Sequence, residues 1–442
     1  MTRTWKWFSL SVVLAGFAIG AGIVISKEGP RETFAHELAA KPARERNLVV
    51  FDAACALVEK HFYDSKFSTT PTWQKLKAEW RAKAADAEPP LLYVNVLDNF
   101  ARSIPESHVN FSTPPAPSQP KAAAAANPKV IPEVMYLRAM SGPGFDAPMI
   151  RRGLGHPQVV GDVVRGSPAE RAGVMPGWVL MKNGISVTAD GAHYTAEFLR
   201  LDPESSRSTE STGQLRLETL TTQAQLEAYV TARTTPLEFE LEQLAAPAEF
   251  EVRRLPGDVT YVRFDRFETL ELVGKAIDAI DSAGPAGLIL DLRHNYGGRQ
   301  LHLNRVAGAL LGGDAVLGTQ RAANSSGTLT GWRFGSHYEG PLVVLVGPTT
   351  ASAAEITAAA VQDLKRGKLI GRVTNGSVMA GQWFDLPDGG RMMLPTSDFV
   401  RGDGRRIEGA GVEPDIWVLP TLEDVRAGRD PALERALVEL RR

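Results

Sequence analysis

The stretch Pro341–Asp363, PLVVLVGPTTASAAEITAAAVQD, joins a short apolar run to an alanine-rich helical pattern through Gly347-Pro348 and the hydroxyls of Thr349, Thr350 and Ser352. An apolar run of this length followed at once by a helix predicts a buried strand of an α/β sheet. Ser352, at the handover, has two readings. It is an N-cap, satisfying amides orphaned at the helix start. Or it is a nucleophile at the positive end of a helix, beside N–H groups able to stabilise an oxyanion.

Working outward, the same alternation continues from Asp258 onward. DVTYVRFDRF alternates as a strand, LVGKAIDAIDSAG reads as a helix, and GLILDLR is a second buried strand. That strand ends in HNYGG, and the helix LHLNRVAGALLGG follows. The glycines of the turn, Gly297 and Gly298, let backbone N–H groups approach a ligand. Near the close of this region IEGAGVEPDI sets Glu408 beside glycines. The pattern predicts a sheet covered by helices, with function in the turns after the strands.

Two other regions precede this one. From about Asn47 to Ala101, NLVVFDAACALVEKHF, TWQKLKAEWRAKAADA and LLYVNVLDNFARSI carry apolar residues at helical steps and predict three helices. PESHVNFSTPPAPSQPKAAAAANPK then reads as a Pro/Ala-rich linker. From about Val130 to Arg254 short strands and turns prevail. In QVVGDVVRGSPAERAGVMPGWVLMKNGISV a short helix is stopped by Gly173, and a strand is closed by the turn residues Asn183-Gly184. Gly166-Ser167-Pro168-Ala169, Ala172-Gly173 and Pro176-Gly177 in this run resemble a PDZ domain. That resemblance implies capture of an extended peptide C-terminus by strand addition, with a loop at Gly144-Phe145 as the carboxylate site. The polar stretch 203–214 reads as an inserted loop.

Composition bounds the partners. The chain has 442 residues, a prior of two to three domains. A net charge of -2 without a basic, aromatic-laced stripe points to no nucleic acid. One cysteine, Cys55, rules out an internal disulfide framework. Eight scattered histidines without HExxH give no support to a metal site. At the N-terminus, basic MTRTWKW precedes Trp7–Ser26, about twenty residues without a charge, long enough to span a bilayer. An uncleaved anchor is expected in preference to a cleaved signal peptide. Either puts the chain in the cell envelope, on the inner or plasma membrane with the bulk in the periplasm or extracellular space.

The turns taken together resemble the tail-specific, or C-terminal processing, serine peptidase family, from about Asn47 to Leu419. The resemblance rests on Asp291-Leu292-Arg293 with Asn295 and Gly297-Gly298, on Ser352-Ala353-Ala354-Glu355, and on Gly411 to Ile416. It implies Ser352 as nucleophile, with the amides of Gly298 and Ala353 as oxyanion hole. Where the bacterial processing proteases carry a dyad lysine, this chain has Ser377 in VTNGSVMAGQWFDL, and Lys365 and Lys368 do not fit the motif. Thr374–Ser377 and Ile407–Asp415 are instead similar to the branch of the tricorn core and the retinoid-binding domains. That branch implies Ser107-His108 as the base-bearing pair, with Glu408 completing the relay. Most relatives have Asp-x-His-Thr/Ser there, whereas PESHV has Val109 in place of the hydroxyl. His294 is the rival base. Arg293 and Asn295 are expected at the substrate, with a structural pairing the other reading of Arg293. Glu355 in the first helical turn reads as a complement to the helix dipole.

The expected fold is multidomain α+β: a helical N-terminal region, a PDZ-like domain and a ClpP/crotonase-like α/β peptidase core. The boundaries are 1–27 for the anchor, 28–112 for the helical domain, 113–130 for the linker, 131–254 for the PDZ-like domain, 255–420 for the core and 421–442 for a helical tail. The expected activity is a serine endopeptidase acting on unstructured C-terminal tails, with no cofactor and no metal. A catalytically inactive binding or scaffold protein is the alternative, and a hydrolase of non-peptide esters or amides a third reading. Nothing in the sequence sets the oligomeric state.

Overall fold

A computed structural model describes residues 40–88, 91–114 and 249–442 apart from 334–336, 422, 425 and 426, together with Leu38 and the segments 158–160, 168–175, 178–188, 191–200, 206–208, 215–217 and 223–240. The helical region comprises α1 (Ala43–His61), α2 (Pro71–Asp86) and α3 (Asp98–Ser103), the last entered through a π-helical turn, Leu92–Leu97. Thr70 caps α2 by accepting the Trp73 N–H, as Pro at the following position favours. Phe51, Val58, Trp73, Leu97 and Phe100 close the core between these helices.

After it come β1 (Asn110–Ser112), β2 (Gln158–Val159), α4 (Pro168–Arg171), β3 (Val179–Thr188), β4 (Gly191–Leu199), β5 (Ser206–Ser208), β6 (Leu215–Leu217), α5 (Gln223–Arg233) and β7 (Thr234–Glu240). β2, β3, β4 and β7 form one antiparallel sheet. α4 stops before Gly173, whose φ of +76° favours glycine. Two expectations need correction here. Asn183-Gly184 does not close a strand: both residues lie inside β3, opposite Ala196 and Thr195, and Thr188 pairs with Gly191. The long ladder with β4 outweighs the local turn propensity. The polar stretch 203–214 is also more than a loop, since β5 within it pairs with β6.

The remaining elements are β8 (Phe250–Leu255), β9 (Val259–Phe264), α6 (Leu270–Asp281), β10 (Leu288–Asp291), α7 (Gln300–Leu311), β11 (Val316–Ala322), β12 (Ser325–Thr330), β13 (Leu342–Val346), α8 (Ala353–Asp363), β14 (Lys368–Gly371), β15 (Ala380–Asp385), β16 (Arg391–Arg401), β17 (Ile416–Trp417) and α9 (Pro431–Glu439). A six-stranded sheet runs β17-β14-β13-β10-β9-β8, parallel except for β8. Its central strands β9, β10 and β13 are buried on both faces, as a doubly covered sheet requires. Leu288 and Leu290 join Leu342, Val344 and Val346 under α6, α7 and α8, while Ile289, Val343 and Leu345 face Ala432 and Ala436 of α9. β8 and α9 therefore belong to the core, which extends beyond the expected 255–420 at both ends. A second sheet, β1-β16-β11-β12 with β15 on β16, carries Met392 and Leu394 into the helical core and so ties the two regions together.

The expected membrane anchor is not supported. Among the described residues no helix is long and apolar enough to cross a membrane, and Trp7–Ser26 lies outside them. The envelope location that rested on it is withdrawn. Gly144, Phe145 and the linker from residue 115 also lie outside the described residues.

Candidate active site

Both turns of interest leave the C-terminal ends of neighbouring parallel strands, β10 and β13, so topology alone brings them together. Ser352 is the N-cap of α8, with φ +55° and ψ -120°. A non-glycine residue in such backbone persists only where its surroundings hold it. The Gly297-Gly298 turn lies directly against it. A Cβ built on Gly297 would fall 2.5 Å from Ser352 Cβ and 2.9 Å from Ala353 N. The Ala351 N–H donates to Asn295 O at 2.9 Å, fastening one turn to the other.

The two expected oxyanion amides have the right local context. Ala353 is the first helical residue of α8, and its N–H has no intrahelical acceptor. Gly298 bridges Phe267 in parallel: Phe267 N–H donates to Gly297 O and Arg299 N–H to Phe267 O. In such a bridge the N–H of the central residue points away from the partner strand.

Arg293 and Asn295, expected at the substrate, have their polar atoms engaged inside the protein. The Arg293 guanidinium bonds Asp291 at 2.6 Å and Asp430 at 2.7 Å. Burial acts against its charge, but the two carboxylates hold it protonated. Burial likewise pushes Asp291 up, and Arg293 outweighs it, keeping the carboxyl below its usual range. Asn295 is fully buried; its Nδ2 donates to Phe264 O at 2.8 Å and its Oδ1 accepts the Gly297 N–H at 2.9 Å. Both residues shape the turn rather than reach beyond it. His294, the rival base, lies close enough to Asp291 to favour its charged form.

Two buried carboxylates organise the rest. Glu355, with no exposed surface, accepts the N–H of Ser352 at 3.0 Å, of Ser377 at 2.9 Å and of Gly376 at 2.6 Å, and the Thr374 hydroxyl. Its bond to Ser352 N–H is one half of a capping box. The rest clamps the 374–377 loop, a role the helix-dipole reading missed. Burial pushes its carboxyl up to about 7, and the four donors oppose that rise. Glu408 accepts the Val378 N–H and the Ser107 N–H, each at 2.8 Å. Ser107 Oγ then lies 2.6 Å from His108 Nδ1. Glu408 thus grips Ser107 by its backbone N–H.

Three successive amides, Gly376, Ser377 and Val378, are therefore held by two carboxylates. One of these also binds the Ser352 backbone, and the other binds the residue before His108. Burial holds the His108 imidazole below its usual value, with the Glu408 carboxylate opposing, which favours the neutral ring a base needs. Ser377, at the dyad-lysine position, donates to Asn375 Oδ1 at 2.6 Å. Lys365 lies past the far end of α8, whose 11 residues span about 16 Å away from Ser352.

Sequence reasoning missed Tyr63, Glu106 and Arg406. Tyr63 Oη donates to Glu106 at 2.7 Å and Arg406 Nη2 donates to Glu106 at 2.9 Å, next to Ser107 in the chain. The available signal was a carboxylate two residues before His108.

Residues 258–418 match peptidase family S41. The chain is 31% identical over 187 residues to a carboxy-terminal-processing protease of Bartonella bacilliformis, covering 41% of this chain and 43% of that one. It is 30% identical over 264 residues to a carboxyl-terminal-processing protease of Synechocystis sp., covering 57% and 56%. The chain spans about half the length of these curated relatives. Among solved structures, the photosystem II D1 C-terminal processing protease is similar in fold, with TM-score 0.52 at 21% identity over 85% of this chain and 93% of that one. The matched segment contains the Gly297-Gly298 turn, Ser352 and Glu408, and over that segment this chain is similar to peptidase family S41.

Proposed function

We propose that the chain is a serine endopeptidase of the C-terminal processing type. Ser352 is its nucleophile, His108 its general base, and Ser107 and Glu408 orient the base. The observation that carries this reading is the hydrogen-bonded run Glu408–Ser107–His108, joined through the 376–378 amides and Glu355 to the Ser352 backbone.

The chemistry follows. For His108 to act as base, Nδ1 carries the proton and donates it to Ser107 Oγ, leaving the Nε2 lone pair for the Ser352 hydroxyl. The Ser352 oxygen attacks the scissile carbonyl as its proton passes to Nε2. The amides of Gly298 and Ala353 stabilise the oxyanion, the larger contribution in such sites. The imidazolium returns the proton to the leaving amine, and water, deprotonated by His108, releases the acyl group. The sub-branch is that of the tricorn core, with a Ser-His-Glu arrangement in place of Ser-Lys. The antiparallel sheet β2-β3-β4-β7 is the PDZ-like domain in this reading, taking unstructured C-terminal tails of polypeptides by strand addition.

The replacement of the dyad lysine by Ser377 is what favours the alternative, an inactive binding protein. A fluorophosphonate probe separates the two. The purified chain should be labelled, Ser352→Ala should not, and His108→Ala should label about 100-fold more slowly. Labelling absent from the parent, or surviving Ser352→Ala, refutes the mechanism.

A further inference from the structure

His108 adopts φ +64°, left-handed backbone that a non-glycine residue keeps only when its surroundings over-determine it. The Ser107 N–H donates to Glu408 and so ties the His108 turn to the Glu408 loop. A single bond leaves the turn free to pivot about it. The structure supplies a second fixing point, one residue before Ser107 on one side and two residues before Glu408 on the other.

Glu106 uses both carboxylate oxygens. Oε2 accepts Arg406 Nη2 at 2.9 Å and Oε1 accepts Tyr63 Oη at 2.7 Å. Arg406 is itself doubly held: its Nε donates to Asp398 Oδ2 in β16 at 2.7 Å, and its backbone bridges Val400 of the same strand. Tyr63 is anchored too, its N–H donating to Pro395 O of β16 at 3.1 Å. Glu106 and Asp398 are nearly buried, with side chains 11% and 8% exposed, so these bonds are poorly screened even though Arg406 is 40% exposed. β16 thus reaches the turn before His108 by two routes, and Arg406 stands two residues before Glu408.

We propose that Glu106 and Arg406 are positioning residues, their ion pair locking the strained Ser107-His108 turn in register with the Glu408 loop so that the imidazole is aimed at Ser352. This rests on the reading of His108 as the base.

The test uses the full chain and a fluorophosphonate, with the maximal inactivation rate and the probe's apparent affinity determined separately, alongside the unfolding midpoint. Glu106→Gln, nearly isosteric, should lower the maximal rate about tenfold or more and leave the apparent affinity within about twofold, because the base moves and the oxyanion site does not. Tyr63→Phe, which keeps the ring and the Glu106–Arg406 ion pair but deletes the hydroxyl's bonds to Glu106 and Arg406, should lower it less. Glu106→Gln with Arg406→Gln should be no slower than the worse single variant, since both act through one contact. Multiplying effects, an unchanged rate in Glu106→Gln and Tyr63→Phe, or a loss expressed only in the unfolding midpoint would overturn the inference. His108→Ala distinguishes the two levels. If it labels like the parent, the base assignment itself falls. If it is slow while Glu106→Gln is not, only the positioning role falls.

Discussion

Replacing Gly297 by alanine tests the contact between the two strand-end turns. Gly297 has φ +87°, where an L side chain is strained by about 1–2 kcal/mol. The added Cβ would meet Ser352 Cβ at 2.5 Å, Ala351 O at 2.7 Å and Ala353 N at 2.9 Å. Carbon–carbon contacts settle near about 3.5–4.0 Å, so the turn and the start of α8 must part by roughly 1 Å. Two of the three atoms are backbone, so no rotamer change relieves the clash. Overpacking of this kind adds about 1–3 kcal/mol, giving a total loss of about 2–5 kcal/mol. A displacement of about 1 Å at the nucleophile also predicts a fall of about 100-fold in probe labelling. Denaturant unfolding and labelling rate measure the two effects. Gly327→Ala in β12, whose added Cβ meets nothing within 4 Å, is the matched control and should change neither. If Gly297→Ala matches that control, the glycine turn does not abut Ser352 and the oxyanion assignment loses its basis.

Three further outcomes are expected. Glu355→Gln presents an amide N–H₂ to a site filled by donors; it should destabilise the chain by about 2–4 kcal/mol in denaturant titration and slow labelling, and a neutral effect on both would remove Glu355 from the clamp. Labelling should rise with pH through a midpoint below histidine's usual value of about 6.5, because burial favours the neutral base; in Glu408→Gln, which removes the opposing carboxylate, the midpoint should move lower still. A midpoint that rises in Glu408→Gln contradicts this sign. Arg293→Ala strands the buried Asp291 charge and should cost about 3–5 kcal/mol. Because Asp291 is held below its unfolded value of about 3.9, the stability from this pair is present above that pH and is lost in stronger acid as the folded group titrates. Unfolding curves for parent and variant that differ equally at pH 7 and in strong acid would refute the pairing.

Much of the core was readable because its signals are local. The uniformly apolar strands, the helical steps of α6 and α7, and the glycine pair after β10 each announce themselves within about a dozen residues. Edges were less legible. β8 reads as an ordinary alternating strand, and only its pairing with β9 assigns it to the core. Asn183-Gly184 carries a turn signal that the β3–β4 ladder overrides.

By itself, then, the sequence determined the alternating core, the placing of Ser352 at a strand-to-helix handover and the glycine turn beside it in the sheet. Tertiary structure decided what the charged residues do. Arg293 could bind a ligand or a carboxylate until Asp430, 137 residues away, was found on it. Glu408 meets Ser107 across 301 residues, and Arg406 meets Glu106 across 300. A hydrogen bond between such distant residues leaves no periodicity in the chain, and a carboxylate's role depends on which donors folding brings to it. The capping contact of Glu355 with Ser352 was local enough to read; its hold on Gly376 and Ser377 was not.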